Sequence, residues 1–168
     1  IFVILLDALK GILAVVIVAR LFFGPIPFEN ITPFDDFTLL QIIAGIAAVI
    51  GHIWTVFAGF RGGKGIATAL GMLVVIITID MLIAVGIFLI VVTISRYVSL
   101  GSIVAAISVP LTLIVRENVF LVNIPGYHTL LPFVIAVALL VVYTHRKNVV
   151  RIFNGSESKI SFKKKKTE

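Results

Sequence analysis

The sequence contains no cysteine, which excludes disulfide bonds and thiol chemistry and leaves the redox compartment of the protein open. Charge is also scarce, because only 13% of the 168 residues are charged, against about 25% in a typical soluble domain. Hydrophobic residues make up 60% of the chain, and the mean hydropathy is +1.20. So much apolar side chain cannot be hidden in one soluble core. The composition therefore predicts an integral membrane protein, and no cleavable signal peptide is visible.

Long apolar runs separated by short polar segments predict six membrane-spanning helices. The runs cover residues 1–23, 37–57, 66–95, about 100–115 and 129–144. The run at 66–95 counts twice, because a single helix would place Asp80 near the bilayer centre, where a charge costs roughly 2.5–3.5 kcal/mol. We therefore predict a hairpin that turns at Thr78-Ile79-Asp80. Small residues four apart, which allow close helix contacts, occur at Ala44/Ala48, Ala67/Gly71 and Gly101/Ala105.

Charge distinguishes the two sides of this predicted bundle. One side carries Arg61, Lys64, Arg96, Arg146, Lys147, Arg151, Lys159 and the four lysines at 163–166. The acidic residues Asp35, Asp80 and Glu117 fall on the other side, so the positive-inside rule places the basic side in the cytoplasm. We expect one compact all-α membrane domain over residues 1–168, with a basic cytoplasmic tail at 154–168.

The segment Arg61-Gly62-Gly63-Lys64-Gly65 has the chemistry of an anion site. Its glycines allow positive φ and expose backbone N–H groups, and a helix beginning near Ile66 would add its positive end. Arg61 and Lys64 add two positive charges, so this loop, with Thr68 beyond it, is predicted to bind phosphate. A nucleotide-binding P-loop would need glycine at Ala58 and Ser or Thr at Gly65, which argues against an ATPase. The alternative is a short basic turn between two membrane helices.

Other polar residues fall at or near the same predicted membrane face. They are His52, Arg96, Ser99, Ser102, His145 and Asn148. Each has a structural alternative, because a histidine at a helix end is often a satisfied structural group and serines bond back to helix carbonyls. Asp7 and Lys10 are three residues apart on one helix face, where they either neutralise each other and lock packing or line a polar path.

Several of these segments resemble, in the same order, the bacterial acyl-phosphate:glycerol-3-phosphate acyltransferases. The matching stretches are Leu6–Gly11, Gly51–Thr68, Arg96–Ser102, His145–Asn148 and Gly155–Lys159. The resemblance implies an inner-membrane enzyme that moves a fatty acyl group from acyl phosphate to glycerol 3-phosphate and yields lysophosphatidic acid. By the same resemblance, the phosphate-binding loop consists of Gly62, Gly63, Lys64 and Gly65. It also implies that His145 and Asn148 belong to the site and that Glu157 is structurally important.

Two features depart from that family. Thr55 stands where the family usually has proline. The family has seven spans, and its first helix and following cytoplasmic loop, with essential serine and arginine residues, do not precede Ile1. Since Ile1 is not methionine and already lies in an apolar run, we expect that the natural chain begins earlier. We also expect these 168 residues alone to have little or no acyltransferase activity.

Acyl phosphate is an activated mixed anhydride, so the implied chemistry requires no metal, nucleotide or other cofactor. Lys64 and the glycine loop are expected to hold a phosphate, by fixed N–H groups and positive charge. The residues expected to position substrate are Ser99, Ser102, His145 and Asn148. No Ser-His-Asp set is visible, which argues against an acyl-enzyme. The general base stays open between a substrate phosphate oxygen, His52 and His145.

Two other classes of protein remain as alternatives. A small transporter or transporter subunit for an anionic solute would place Asp7 and Lys10 along its path. That class predicts an inverted repeat and helices broken near mid-membrane, and the sequence has neither. A purely structural membrane subunit leaves the glycine loop unexplained. The expected partners are the two substrates and membrane lipid, not nucleic acid, while acyl-chain preference and oligomeric state stay open.

Overall fold

The computed structural model describes residues 2–23, 34–55, 63 and 65–160. Within these ranges the chain is built from α-helices and one π-helical segment. The elements are α1 (Phe2–Leu13), the π-helical segment (Ala14–Val18), α2 (Ala19–Phe22), α3 (Asp36–Ile53), α4 (Ile66–Ile76), α5 (Thr78–Ser95), α6 (Val98–Asn118), α7 (Tyr127–Thr144) and α8 (Arg146–Phe153). The first predicted span is thus one helical run from Phe2 to Phe22, with a π-helical turn in its middle.

Four of these helices are long and apolar enough to cross a membrane, counted over the described residues only. They are α3, α5, α6 and α7, with 18, 18, 21 and 18 residues. At 1.5 Å per residue they measure about 27–32 Å, which matches a hydrocarbon core of about 30 Å. Helix α4 is apolar but has 11 residues. The prediction of an all-α integral membrane protein is confirmed, while the count of six spans stays a prediction.

The break predicted within residues 66–95 is present, but its position was wrong. Helix α4 ends at Ile76, and the next residue, Ile77, leaves the helical region with a φ of −132° and a ψ of 53°. Thr78, Ile79 and Asp80 were predicted to form the turn, and they instead form the first turn of α5. Asp80 is buried there, and the Thr78 hydroxyl donates to the Val74 carbonyl at 2.7 Å. The hydroxyl thereby satisfies one of the α4 carbonyls left open by the break.

The chain divides into two compact units. Unit 1 comprises Ile1–Met81 and Asn123–Leu130, and unit 2 comprises Leu82–Val122 and Leu131–Glu168. The boundary at Met81 falls one turn into α5, and the boundary at Leu130 falls one turn into α7. A single domain over residues 1–168 therefore stays a prediction, and each unit is described by itself.

In unit 1, helices α1 and α4 lie so close together that a glycine of each helix contacts the backbone of the other. A Cβ on Gly71 would overlap the carbonyl oxygen of Ala8, and a Cβ on Gly11 would overlap the carbonyl oxygen of Thr68. Such proximity allows van der Waals contact along the whole helix pair, which is the main attraction between helices in lipid. The predicted close contact at Ala67/Gly71 is therefore confirmed at Gly71.

In unit 2, the close contact between α5 and α6 involves side chains. A Cβ on Gly101 would lie 2.5 Å from Val92 Cγ2 and 3.1 Å from Phe88 Cδ2. The predicted contact at Gly101/Ala105 is thus confirmed at Gly101. Helix α8 follows α7 after the single residue His145, and the backbone N–H of Ile160 donates to the Arg96 carbonyl at 2.9 Å. The first part of the predicted tail is therefore bonded to the segment between α5 and α6.

Candidate functional site

The glycine-rich loop is described only at Gly63 and Gly65, so the predicted phosphate ligands Arg61, Gly62 and Lys64 lie outside the described residues. Gly65 caps the N-terminus of α4 with a φ of 72°, a left-handed conformation in which a side chain is strained. A Cβ there would also lie 3.0 Å from Val49 Cγ1. The loop therefore enters α4 through a residue whose conformation and surroundings favour glycine, and the anion site stays a prediction.

Thr68, one turn into α4, is fully buried. Its hydroxyl has no hydrogen-bond partner within the described part of the chain. A buried hydroxyl without a partner is costly, so we expect its partner among the residues that the structure does not describe or in a ligand. The predicted role of Thr68 in phosphate binding stays a prediction.

His52 lies between an acidic residue of α1 and the glycine loop. Its Nδ1 is 3.4 Å from Asp7 Oδ1, and the same carboxylate oxygen accepts from Lys10 Nζ at 2.9 Å. The opposite ring nitrogen, Nε2, points at Gly63 so closely that a Cβ there would overlap it. The ion pair between Asp7 and Lys10 that the spacing predicts is present. His52 contacts the same carboxylate, which the sequence did not reveal.

A second polar cluster lies in unit 2 around Glu157. Its Oε1 accepts from the Ser99 hydroxyl at 2.7 Å and from Asn148 Nδ2 at 2.8 Å, while its Oε2 accepts from Arg151 Nε at 2.7 Å. We call these four residues the Glu157 cluster. The side chain of Glu157 is 8% exposed and that of Arg151 is 49% exposed, so the carboxylate is shielded by its partners.

These contacts hold the Glu157 carboxylate in its charged form. The hydrogen bond from Asn148, with those from Arg151 and Ser99 and the charge of Arg151, lowers the pKa of Glu157 from 4.5 to about 2. Since a charged carboxylate only accepts hydrogen bonds, Ser99 and Asn148 must both donate to it. The orientation of both side chains is thereby fixed.

A turn at Gly155 reverses the chain after α8 and brings Glu157 back beside that helix. Gly155 has a φ of 68°, and the N–H groups of Ser156 and Glu157 donate to the Arg151 carbonyl at 2.8 and 3.2 Å. This is a glycine-terminated helix end, in which a left-handed residue lets the chain reverse while helix carbonyls stay bonded. The reversal places Glu157 beside Asn148, nine residues earlier.

The other predicted site residues of unit 2, Ser102 and His145, contact backbone carbonyls of helices α6 and α7. Ser102 donates to the Val98 carbonyl at 3.1 Å, which is the structural alternative for a helical serine. His145 Nδ1 lies 2.9 Å from the Val141 carbonyl. Because a carbonyl only accepts, this contact assigns the proton of neutral His145 to Nδ1 and leaves Nε2 as the acceptor nitrogen.

The structure therefore brings the predicted site residues together in two groups. In unit 1 it joins Asp7, Lys10, His52 and Gly63, and in unit 2 it joins Ser99, Asn148 and Glu157. Arg151 was missed as a member, although its spacing of three from Asn148 places both on one face of α8. No group of three metal-binding side chains occurs in the ranges that the structure describes.

Several apolar helices long enough to span a membrane define a polytopic membrane protein, and each unit carries its own group of polar residues. The family model described as glycerol-3-phosphate acyltransferase matches residues 1–155. The chain belongs to this family, and it is an acyltransferase. Family membership does not support the transporter and structural-subunit alternatives.

Individual relatives agree with this assignment. Glycerol-3-phosphate acyltransferases of Chlorobaculum tepidum and Chlorobium phaeobacteroides are 44% and 43% identical, and the alignments cover 96% and 94% of this chain and 75% and 74% of those proteins. Two crystal structures of PlsY, an integral membrane glycerol 3-phosphate acyltransferase, are 34% identical to the chain. The glycerol 3-phosphate form gives a TM-score of 0.63 and the lysophosphatidic acid form 0.64, over 95% of this chain and 70% and 71% of those chains.

Proposed function

We propose that this acyltransferase moves a fatty acyl group from acyl phosphate to glycerol 3-phosphate and releases lysophosphatidic acid and inorganic phosphate. The observation that carries the proposal is the family match over residues 1–155, together with the 34% identical structures in glycerol 3-phosphate and lysophosphatidic acid forms. Acyl phosphate as the donor rests on the sequence resemblance. The proposed location is the bacterial inner membrane, with the site at the cytoplasmic face.

The reaction is one acyl substitution. A glycerol hydroxyl oxygen attacks the acyl carbonyl carbon, the carbon–oxygen bond of the anhydride breaks, and inorganic phosphate leaves with the electron pair. The hydroxyl proton passes to a base. Because the donor is already activated, the protein mainly has to hold the two substrates in line and stabilise the developing negative charge.

The glycine loop is the proposed phosphate site. The first N–H groups of a helix have no partner within that helix, so the start of α4 after Gly65 offers donors and the positive end of the helix dipole, to which Arg61 and Lys64 add positive charge. Arg61 suits two phosphate oxygens at once, whereas Lys64 acts as a point charge. The Thr68 hydroxyl, buried one turn into α4, supports the same role because it needs an acceptor.

The Glu157 cluster is the proposed device for orienting substrate. Asn148 donates its amide N–H to Glu157, so its side-chain oxygen is left to accept a hydrogen bond, as a glycerol hydroxyl would offer. Ser99 likewise donates to the carboxylate and keeps its oxygen lone pairs. Glu157 and Arg151 then act through Asn148 and Ser99 and do not touch the substrate.

His145 is the better candidate than His52 for the base. The Nδ1 proton of His145 points at the Val141 carbonyl, which leaves Nε2 as an acceptor. Both ring nitrogens of His52 face protein groups instead, Asp7 on one side and Gly63 on the other. His145→Asn should therefore lower kcat more than it raises KM, whereas a substrate phosphate acting as base would leave kcat nearly unchanged.

Helix α8 supports membrane lipid as a partner. Tyr143, Arg146, Val150 and Phe153 are all exposed, and the last three, which are four and three residues apart, lie on one face of α8. Phe153 is 86% exposed, and the Arg146 guanidinium lies 4.1 Å from the centre of the Tyr143 ring. An apolar face edged by arginine suits the headgroup region of an anionic membrane, so α8 lies there in the proposed topology.

A donor assay tests the activity. The full-length wild-type protein in detergent or lipid should convert glycerol 3-phosphate to lysophosphatidic acid with acyl phosphate, and an acyl thioester should not replace the acyl phosphate. These 168 residues alone are still expected to have little or no activity, so the wild type and its variants are compared as full-length proteins. Lys64→Ala should lower kcat/KM about ten- to more than a hundredfold, since a charge-assisted contact contributes roughly 1.5–3 kcal/mol. The matched control is Lys163→Ala in the tail, which should leave kcat/KM unchanged. Equal kinetics for wild type and Lys64→Ala would show that the loop is only a turn.

Cysteine labelling tests the sidedness, because the chain has no cysteine of its own. In sealed inverted vesicles an impermeant reagent should label Lys159→Cys and not Glu117→Cys. Labelling of Glu117→Cys from the cytoplasmic side would contradict the proposed topology.

A further inference from the structure

The His52 ring fills the space between α1 and the glycine loop. Its side chain is only 12% exposed and that of Asp7 only 17%, so neither is a freely solvated surface group. One ring nitrogen is 3.4 Å from the Asp7 carboxylate, and the other meets Gly63. A ring held by a charge on one side has little freedom to move away from the loop on the other.

The requirement for glycine at position 63 is one of space. The described glycines with positive φ are Gly65, Gly126 and Gly155, and Gly63 is not among them. A Cβ at this position would overlap Nε2 of His52 and would lie 3.0 Å from its Cε1 and 3.2 Å from its Cδ2. The residue that excludes a side chain at position 63 is thus His52.

Helix α1 contacts the protein on both sides of the loop. Through Asp7 it holds His52, which lies at the end of α3 just before the loop. Through Gly11 it packs against the Thr68 carbonyl, in the first turn of α4 just after the loop. One helix therefore fixes the spacing of the two points from which the glycine loop extends.

We propose that Asp7 and His52 are a positioning pair that holds Gly63, and with it the glycine loop, in the geometry that binds the phosphate of glycerol 3-phosphate. This inference rests on the proposed function, because it assumes that the loop binds phosphate. His52 presses on Gly63 with its Nε2 edge, and Asp7 keeps the ring from turning away. Neither residue touches the substrate.

A double-mutant cycle between His52 and Gly63 tests this. His52→Ala and Gly63→Ala should each raise KM for glycerol 3-phosphate about tenfold and change kcat by less than about twofold. In Gly63→Ala the new methyl group displaces the ring, whereas the double variant has room for it. His52→Ala/Gly63→Ala should therefore be no worse than His52→Ala alone. Additive effects, or an unchanged KM in His52→Ala, would overturn the proposal, as would a loss confined to kcat, which would make His52 the base.

Two isosteric variants refine the test. Asparagine places its amide near the position of Nδ1, and glutamine places its amide near that of Nε2. Because the proposed pair needs both contacts, His52→Asn and His52→Gln should both raise KM. Asp7→Asn should also raise KM. If this variant folds poorly, the double-mutant cycle at positions 52 and 63 still tests the proposal. Normal KM in either His52 variant would mean that one contact is dispensable, against the proposal.

Controls separate this inference from the proposed function. His128→Asn and Asp36→Asn change the same residue types in unit 1 outside the pair and should leave KM unchanged. An inactive wild type would contradict the proposed function. An active wild type with an impaired Lys64→Ala variant and unimpaired Asp7 and His52 variants would contradict this inference alone. Competition by inorganic phosphate should weaken in parallel with KM, because the affected contact is to phosphate.

Discussion

In unit 1 a helix meets the backbone of another helix at glycine, whereas in unit 2 a carboxylate joins α6, α8 and the start of the tail. Gly71 and Gly11 bring α1 against α4 without any intervening side chain. Glu157 instead collects hydrogen bonds from Ser99, Asn148 and Arg151. The first arrangement fixes α1, which carries Asp7, and the second fixes the side chains of Ser99 and Asn148.

The two arrangements should respond to different changes. Backbone contact depends on the absence of a Cβ and has no titrating group, so it should be sensitive to added volume and insensitive to pH. A carboxylate cluster tolerates small changes of volume, because side chains can move, but it depends on the charge of Glu157. We therefore expect the contact between α1 and α4 to respond mainly to added volume, and the Glu157 cluster to respond mainly to loss of charge.

The largest effect is expected from Gly71→Ala. The added methyl group would overlap the Ala8 carbonyl, which belongs to the backbone of α1 and cannot rotate away. Overpacking typically costs about 1–3 kcal/mol, and the gain of about 1 kcal/mol in helix propensity offsets only part of it. Thermal unfolding in detergent should show a clear fall in Tm, together with a raised KM for glycerol 3-phosphate because α1 supports the loop.

Gly51→Ala is the matched control, in α3 of the same unit. A Cβ there meets nothing within 4 Å among the described residues, so only the gain in helix propensity remains. Its Tm should be unchanged or higher. If Gly71→Ala were as stable as Gly51→Ala, the close approach of α1 and α4 would not contribute to stability.

The sequence predicts the helices and several contact points, because both follow from local composition. Long apolar runs indicate α3, α5, α6 and α7, and the small residues at Gly71 and Gly101 mark real close contacts. The break before α5 was also predicted, since a charge in mid-membrane is costly. Its position was wrong by a few residues, because Ile77 carries no turn signal and Asp80 suits the first turn of a helix.

Contacts between distant segments were harder to predict. The sequence shows Asp7 and Lys10 as a pair, but the packing of α1 and α3 adds His52, 42 positions after Lys10. In the sequence, Arg151 was counted only as one more basic residue before the basic tail. Its role depends on the reversal at Gly155, and a glycine in a polar segment does not by itself indicate where the chain returns.

A smaller effect at neutral pH is expected from Glu157→Gln, because glutamine keeps an acceptor oxygen for Ser99 and Asn148 and loses mainly the ion pair with Arg151. The effect should appear in the pH dependence. The folded-state pKa of about 2 lies below the ordinary 4.5, so the wild type has this stability in full above about pH 4.5 and loses it as the pH falls towards 2. Tm should fall over that range in the wild type and less in the variant.

Glu117→Gln is the control for this prediction, since it removes a carboxylate of unit 2 outside the Glu157 cluster. It should follow the wild-type dependence of Tm on pH. Parallel curves for wild type and Glu157→Gln would mean that the cluster does not stabilise the folded state through its charge.

The smallest effect is expected from Gly101→Ala. Because Gly71→Ala in unit 1 is the same type of substitution, the two variants compare the units directly. The new Cβ would meet Val92 and Phe88 side chains of α5, at 2.5 and 3.1 Å, and not backbone, so the overlap can be relieved by movement of side chains. We expect the free energy of unfolding to fall by less than about 1 kcal/mol, because side-chain movement relieves the overlap and helix propensity offsets part of the rest.

Gly86→Ala in α5 is the control, because a Cβ there meets nothing within 4 Å among the described residues. Thermal unfolding should rank the variants with Gly71→Ala lowest, Gly101→Ala next and Gly86→Ala highest. A Gly101→Ala variant as unstable as Gly71→Ala would mean that α5 and α6 are held as tightly as α1 and α4, and that the two units differ only in where their polar groups lie.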